Sequence, residues 1–125
     1  MMTHEQWLNN IVASVGHVAS RDFQERTWLG GGGPEISSPT EMYNELFDDY
    51  TFDLFHETYS RGFTPEQSDA WDTFKTSMEK YGEGMPDSPD PRRVLDDPGW
   101  QLVREAAARF VAAFEQKQPQ PSLAG

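Results

Sequence analysis

The sequence has no cysteine, which excludes disulfides, thiolate metal sites and a cysteine nucleophile. Basic residues are scarce as well: ten Lys and Arg stand against 21 Asp and Glu, a net charge of −11. A nucleic-acid ligand is therefore disfavoured, because binding a polyanion needs a basic surface. Long apolar runs are missing, and no stretch approaches the roughly 20 residues that cross a bilayer. No Lys or Arg precedes the first apolar stretch, which Glu5, Asn9, Asn10 and His17 interrupt, so no secretory signal is expected. These absences together lead to the expectation of a soluble cytoplasmic protein with no membrane partner, a monomer by default.

What is present suits one helical core. The chain of 125 residues carries eight Phe, four Trp and four Tyr, and rings of that size bury large areas. Helix-start signals recur along it. Thr3 with Gln6 and Thr64 with Gln67 fit capping boxes, in which side chains satisfy the first backbone N–H groups. Ser38-Pro39-Thr40-Glu41 adds a proline at the first helical position, and Asp97-Pro98 opens the last helix. Apolar residues then recur at helical spacing: Trp7, Leu8, Ile11, Val12 and Val15, with Gly16 as the expected stop; Met42, Tyr43, Leu46, Phe47 and Tyr50; Phe52, Phe55 and Tyr59 in a further helix over 51–60. Trp71, Phe74, Met78 and Tyr81 form the next stripe, with Gly82 after it, and Trp100, Val103, Ala107, Phe110, Val111 and Phe114 the last. The spacing predicts an all-α fold of about five helices, with residues 1–117 as one domain and 118–125 as a flexible tail. From His17 to Leu29 the signal is mixed: either Ser20 caps a short helix, or a short β-ribbon lies near Trp28. The Pro-rich segment 83–97 has room for one helical turn around Val94 and Leu95.

The chemistry-bearing residues do not assemble into a motif. Gly30 to Gly33 lacks the Gly-Lys-Ser/Thr of a phosphate loop and the spacing of a dinucleotide fold, and reads as a connector. His4, His17 and His56 fall in separate segments, none with a partner four residues away for a shared metal. Asp48, Asp49 and Asp53 lack the glycine and terminal Glu of a calcium loop. No serine sits in a nucleophile elbow. No metal, cofactor or catalytic residue is expected.

Charge is the strongest pattern. From Glu35 to Ser60 there are seven acids (Glu35, Glu41, Glu45, Asp48, Asp49, Asp53 and Glu57) and no Lys or Arg. Glu41 and Glu45 repel at the four-residue spacing, by roughly 0.2–0.5 kcal/mol. Asp48 and Asp49 stand near a helix C-terminus, the wrong end of the macrodipole for negative charge. One reading is a solvated face that keeps the chain soluble. The other is a docking surface made by Glu41, Glu45, Asp48, Asp49, Asp53 and Glu57 that steers a basic partner into contact. Trp28, beside the glycine run, is either an exposed anchor for that partner or a cap on the core.

Several segments carry a likeness to a known class. Arg26-Thr27-Trp28-Leu29-Gly30-Gly31, Ser37-Ser38-Pro39-Thr40-Glu41, Leu46-Phe47-Asp48-Asp49-Tyr50 and Asp96-Asp97-Pro98-Gly99-Trp100 resemble small bacterial immunity proteins of contact-dependent growth inhibition and other polymorphic toxin systems. The likeness extends from about Phe23 to Phe114. It implies a cytoplasmic protein that binds the C-terminal domain of a cognate toxin, often a basic nuclease, and blocks it; it implies no catalytic residue. Two other classes remain open from the residues alone. An acidic adaptor or nucleic-acid mimic would accept many basic partners with steep salt sensitivity, and a small helical enzyme would need a pocket with convergent polar groups.

Overall fold

The computed structural model describes residues 3–29, 38–86 and 89–115. Among the described residues seven α-helices follow one another: α1 His4–Ala19, α2 Arg21–Trp28, α3 Pro39–Tyr43, α4 Phe52–Tyr59, α5 Pro65–Glu83, α6 Pro91–Asp96 and α7 Pro98–Glu115. Between α3 and α4 the chain winds through a π-helical turn, Asn44–Asp49, and α4 ends in a 3₁₀ turn, Ser60–Gly62. The fold is all-α, with no strand among the described residues. Two short helices, α2 and α6, join the expected five. They occupy the segment left open after His17 and the single turn around Val94. The glycine run and the expected tail lie outside the described residues.

Local chemistry sets the helix starts. The Thr3 and Thr64 hydroxyls accept from the Gln6 and Gln67 N–H groups, and both glutamine side chains return the bond. Ser20 accepts from Phe23 N–H at 3.0 Å, which starts α2 as a helix and removes the extended alternative. Ser38 accepts from Glu41 N–H, Asp90 from Arg92 N–H and Asp97 from Gly99 N–H. Two glycines do not stop their helices as expected. α1 continues past Gly16 to Ala19 because the next turn buries Val18 on the face that Val15 began. α5 continues through Gly82 to Glu83. There the missing side chain matters, since a Cβ would stand 3.2 Å from the Tyr43 ring.

α7 is the central element, packing along both α5 and α1. Trp71, Phe74, Trp100 and Phe110 are fully buried. Rings cluster around Trp71, Phe74 and Phe110, with Phe52 stacked on Trp71 at 4.1 Å between centroids, while Trp100 packs against Trp28 and Tyr81. At roughly 25 cal/mol per Å² of apolar surface, such rings supply most of the drive for folding. Polar side chains enter this core as well, Gln24 and Arg104 among them. Gln24 of α2 is 0% exposed. Its amide donates to the His17 and Val18 carbonyls at the end of α1, 2.9 and 2.8 Å away. Its carbonyl accepts from Trp100 Nε1 at 3.0 Å and Arg104 Nη1 at 3.3 Å. Arg104 also reaches the Leu95 carbonyl of α6. Burial, and then the charge of Arg21, lower its pKa, yet arginine remains charged at any ordinary pH.

Candidate functional site

The acidic segment forms a corner between α3 and α4, and its backbone departs from a regular helix. Tyr50 N–H bonds to the Glu45 carbonyl at 2.9 Å, five residues back, which makes the turn wider than an α-helix. Thr51 follows at φ 45° and ψ 58°, the left-handed region that a β-branched residue avoids at a cost of about 1–3 kcal/mol. The corner is held from outside: Trp7 Nε1 of α1 donates to the Tyr50 carbonyl at 2.6 Å. Phe52 and Leu46 on either side are fully buried, so the strained link joins two anchored points.

The six candidate acids fall into different settings. Glu41, Asp48, Asp49 and Glu57 are exposed. None has a basic group within 4 Å among the described residues. Glu45 is half-buried and turned toward α1, where Ser14 Oγ donates to its carboxylate at 3.2 Å. Asp53 is paired with Lys75 of α5 at 3.0 Å, and this hydrogen bond raises the lysine's pKa. A stretch without Lys or Arg in sequence therefore gains a cation in space, and Asp53 is not part of a free negative surface. Tyr50 lies in the same field. Its pKa is raised, first by burial and then by the charges of Glu45 and Asp49.

Trp28 takes the core position. It is 7% exposed and lies 6.0 Å from the Trp100 ring, so an exposed anchor at this position is ruled out. Within the acidic segment an apolar residue that does face solvent is Leu54, 52% exposed on α4 between Asp53 and Glu57. The signal for it was present in the sequence. With Phe52, Phe55 and Tyr59 inward, residue 54 falls off the buried stripe by helical geometry.

Among the described residues, no group of three or more His, Asp or Glu is placed to hold a metal ion. The three histidines sit against separate rings: His4 on Tyr59 at 4.9 Å, His17 on Phe23 at 4.0 Å and His56 beside Trp71 at 5.6 Å. No described helix is long and apolar enough to cross a membrane. Comparison with protein-family models, curated proteins and solved structures returns no match. A cavity of about 620 Å³ opens between α5, α6 and α7 and shares no residue with the acidic corner.

Proposed function

We propose that this chain acts by binding, as an immunity protein that neutralises the C-terminal domain of a cognate, basic bacterial toxin. One observation carries the reading: Glu41, Asp48, Asp49 and Glu57 face solvent without a basic partner among the described residues, and Leu54 is exposed on α4 three positions before Glu57. Negative charge speeds capture of a basic partner, whereas an apolar anchor supplies the short-range discrimination that charge alone lacks. A backbone pinned by Trp7 presents this surface with little ordering cost on binding. The likeness in the segments around Trp28, Ser38, Asp48 and Asp97 points the same way.

Leu54 also separates this reading from a general acidic adaptor. An adaptor governed by charge binds many basic proteins with steep salt dependence, while a cognate pair retains selectivity at high salt through apolar contact. The deciding experiment is a protection assay. The protein encoded immediately upstream is expressed alone and together with this chain, and surviving cells are counted. Toxicity alone with rescue on co-expression is the expected result; toxicity without rescue, or no toxicity, sinks the proposal.

A further inference from the structure

We infer that the cavity between α5, α6 and α7 is a binding site for a small uncharged alcohol, an apolar body ending in a hydroxyl. Its volume of about 620 Å³ lies within the roughly 300–1,000 Å³ of small-molecule sites. Apolar side chains dominate the wall. Val94 and Val103 are buried at its floor, and Met85, Pro86, Pro89 and Leu102 carry the lining outward to solvent, where Leu102 is 63% exposed. Each methylene of a ligand buried against such a wall strengthens binding by up to about fourfold. The protein's own bonds hold the walls in place. Asp90 caps α6 through Arg92 N–H at 3.0 Å. Asp97 ties α7 to α5, accepting from Gly99 N–H and from the Tyr81 hydroxyl, each at 2.9 Å. A preformed site costs little ordering when a ligand enters.

The charges at the cavity select an uncharged head group. Two acids and two bases border it, Asp90, Asp97, Lys80 and Arg93, and bonds to neutral donors leave both acids ionised. The four charges sum to zero. They are not spent on one another: neither Lys80 nor Arg93 has a carboxylate within 4 Å among the described residues. A carboxylate head gains from the bases and loses to the acids, and an ammonium does the reverse. Neither ion recovers what it loses on leaving water. A hydroxyl has no charge to desolvate, and it both donates and accepts. It can therefore bond to an acid or a base at the rim, and the Ser77 side chain that also lines the cavity offers a neutral partner.

The test titrates the full chain with hexan-1-ol, hexanoate and hexylammonium, matched in their apolar part, and follows amide chemical shifts. Hexanol is expected to give saturable shifts at Val94, Leu102 and Val103, with both ions weaker by about fivefold or more. Leu102→Asp, at an exposed position, is expected to weaken hexanol by about tenfold, because it removes apolar wall and adds a charge. The probe series on the unaltered chain stands by itself should that variant lose its fold. Absence of saturable hexanol shifts at millimolar concentration, shifts outside the cavity, or either ion binding as tightly as hexanol overturns the assignment. So does a folded Leu102→Asp chain that binds hexanol like the parent. None of these outcomes depends on the acidic corner or on a toxin.

Discussion

Three helices meet at Gln24. Its amide joins the end of α1 to α2, and its carbonyl takes hydrogens from two side chains of α7. Removing it leaves Trp100 Nε1 and part of the Arg104 guanidinium without acceptors in a dry core, where each unpaired group costs about 1–3 kcal/mol. Gln24→Ala is expected to cost about 2–4 kcal/mol in urea unfolding, and to couple with Arg104→Met by about 0.5–3 kcal/mol in a double-mutant cycle. Additive effects would show that the two groups do not act together. Half-buried tyrosines give a second prediction at this scale. Tyr43 donates to the Met78 carbonyl at 2.7 Å and Tyr81 to Asp97. Tyr43 is raised above the ordinary 10.0 by burial, and Tyr81 to about 12 by burial and its Asp97 bond. A raised tyrosine pKa means the folded state holds its proton better. The associated stability is whole below pH 10 and declines as pH rises from 10 toward 12 for Tyr81. Tyr81→Phe is expected to flatten the alkaline limb of a stability–pH curve, and an unchanged slope would place the loss elsewhere.

The π-helical turn and Thr51 belong to the scale of elements. The spacing of Met42, Tyr43, Leu46, Phe47 and Tyr50 fits a regular α-helix, and its apolar positions do pack on the core, with Met42 and Leu46 buried. The extra residue in the turn and the left-handed Thr51 reorient the chain into α4 over a very short link. Glycine at that position removes the Cβ conflict, although it loses more backbone entropy on folding. Thr51→Gly is expected to raise stability by about 1 kcal/mol, seen as a higher urea midpoint at unchanged slope. A lower midpoint would mean that the threonine side chain contributes more than its backbone costs.

Across the whole molecule the dominant quantities are the aromatic core and the excess of acid. Trp71→Ala and Trp100→Ala are each expected to cost about 3–5 kcal/mol in unfolding, because both rings are fully buried. The exposed acids behave oppositely. Glu41→Lys with Asp48→Lys and Asp49→Lys is expected to leave the thermal midpoint nearly unchanged or slightly raised, since these groups have no basic partner among the described residues. Association with a basic partner should slow by about tenfold or more at low salt, with the difference shrinking as salt screens the field. Leu54→Ala should act on dissociation instead. Equal association rates for the triple variant and the parent at low salt would remove this surface from the interface.

The sequence by itself determined the helical class and most of the helix starts, because capping pairs such as Thr3–Gln6 and Thr64–Gln67 and the 3.6-residue period act within one turn of chain. It also determined which rings are core, since Trp71, Phe74, Trp100 and Phe110 share stripes of neighbours on their own helices. Tertiary structure decided what depends on residues far apart. Lys75 neutralises Asp53 across 22 positions, Gln24 finds Trp100 across 76, and Trp28 turns inward because Trp100 is there to receive it. Gly16 and Gly82 stay helical because packing outweighs an intrinsic penalty of about 1 kcal/mol. The candidate docking surface was half legible for the same reason: charge signs are written in the chain, whereas the pairing of each charge depends on which helix lies beside it.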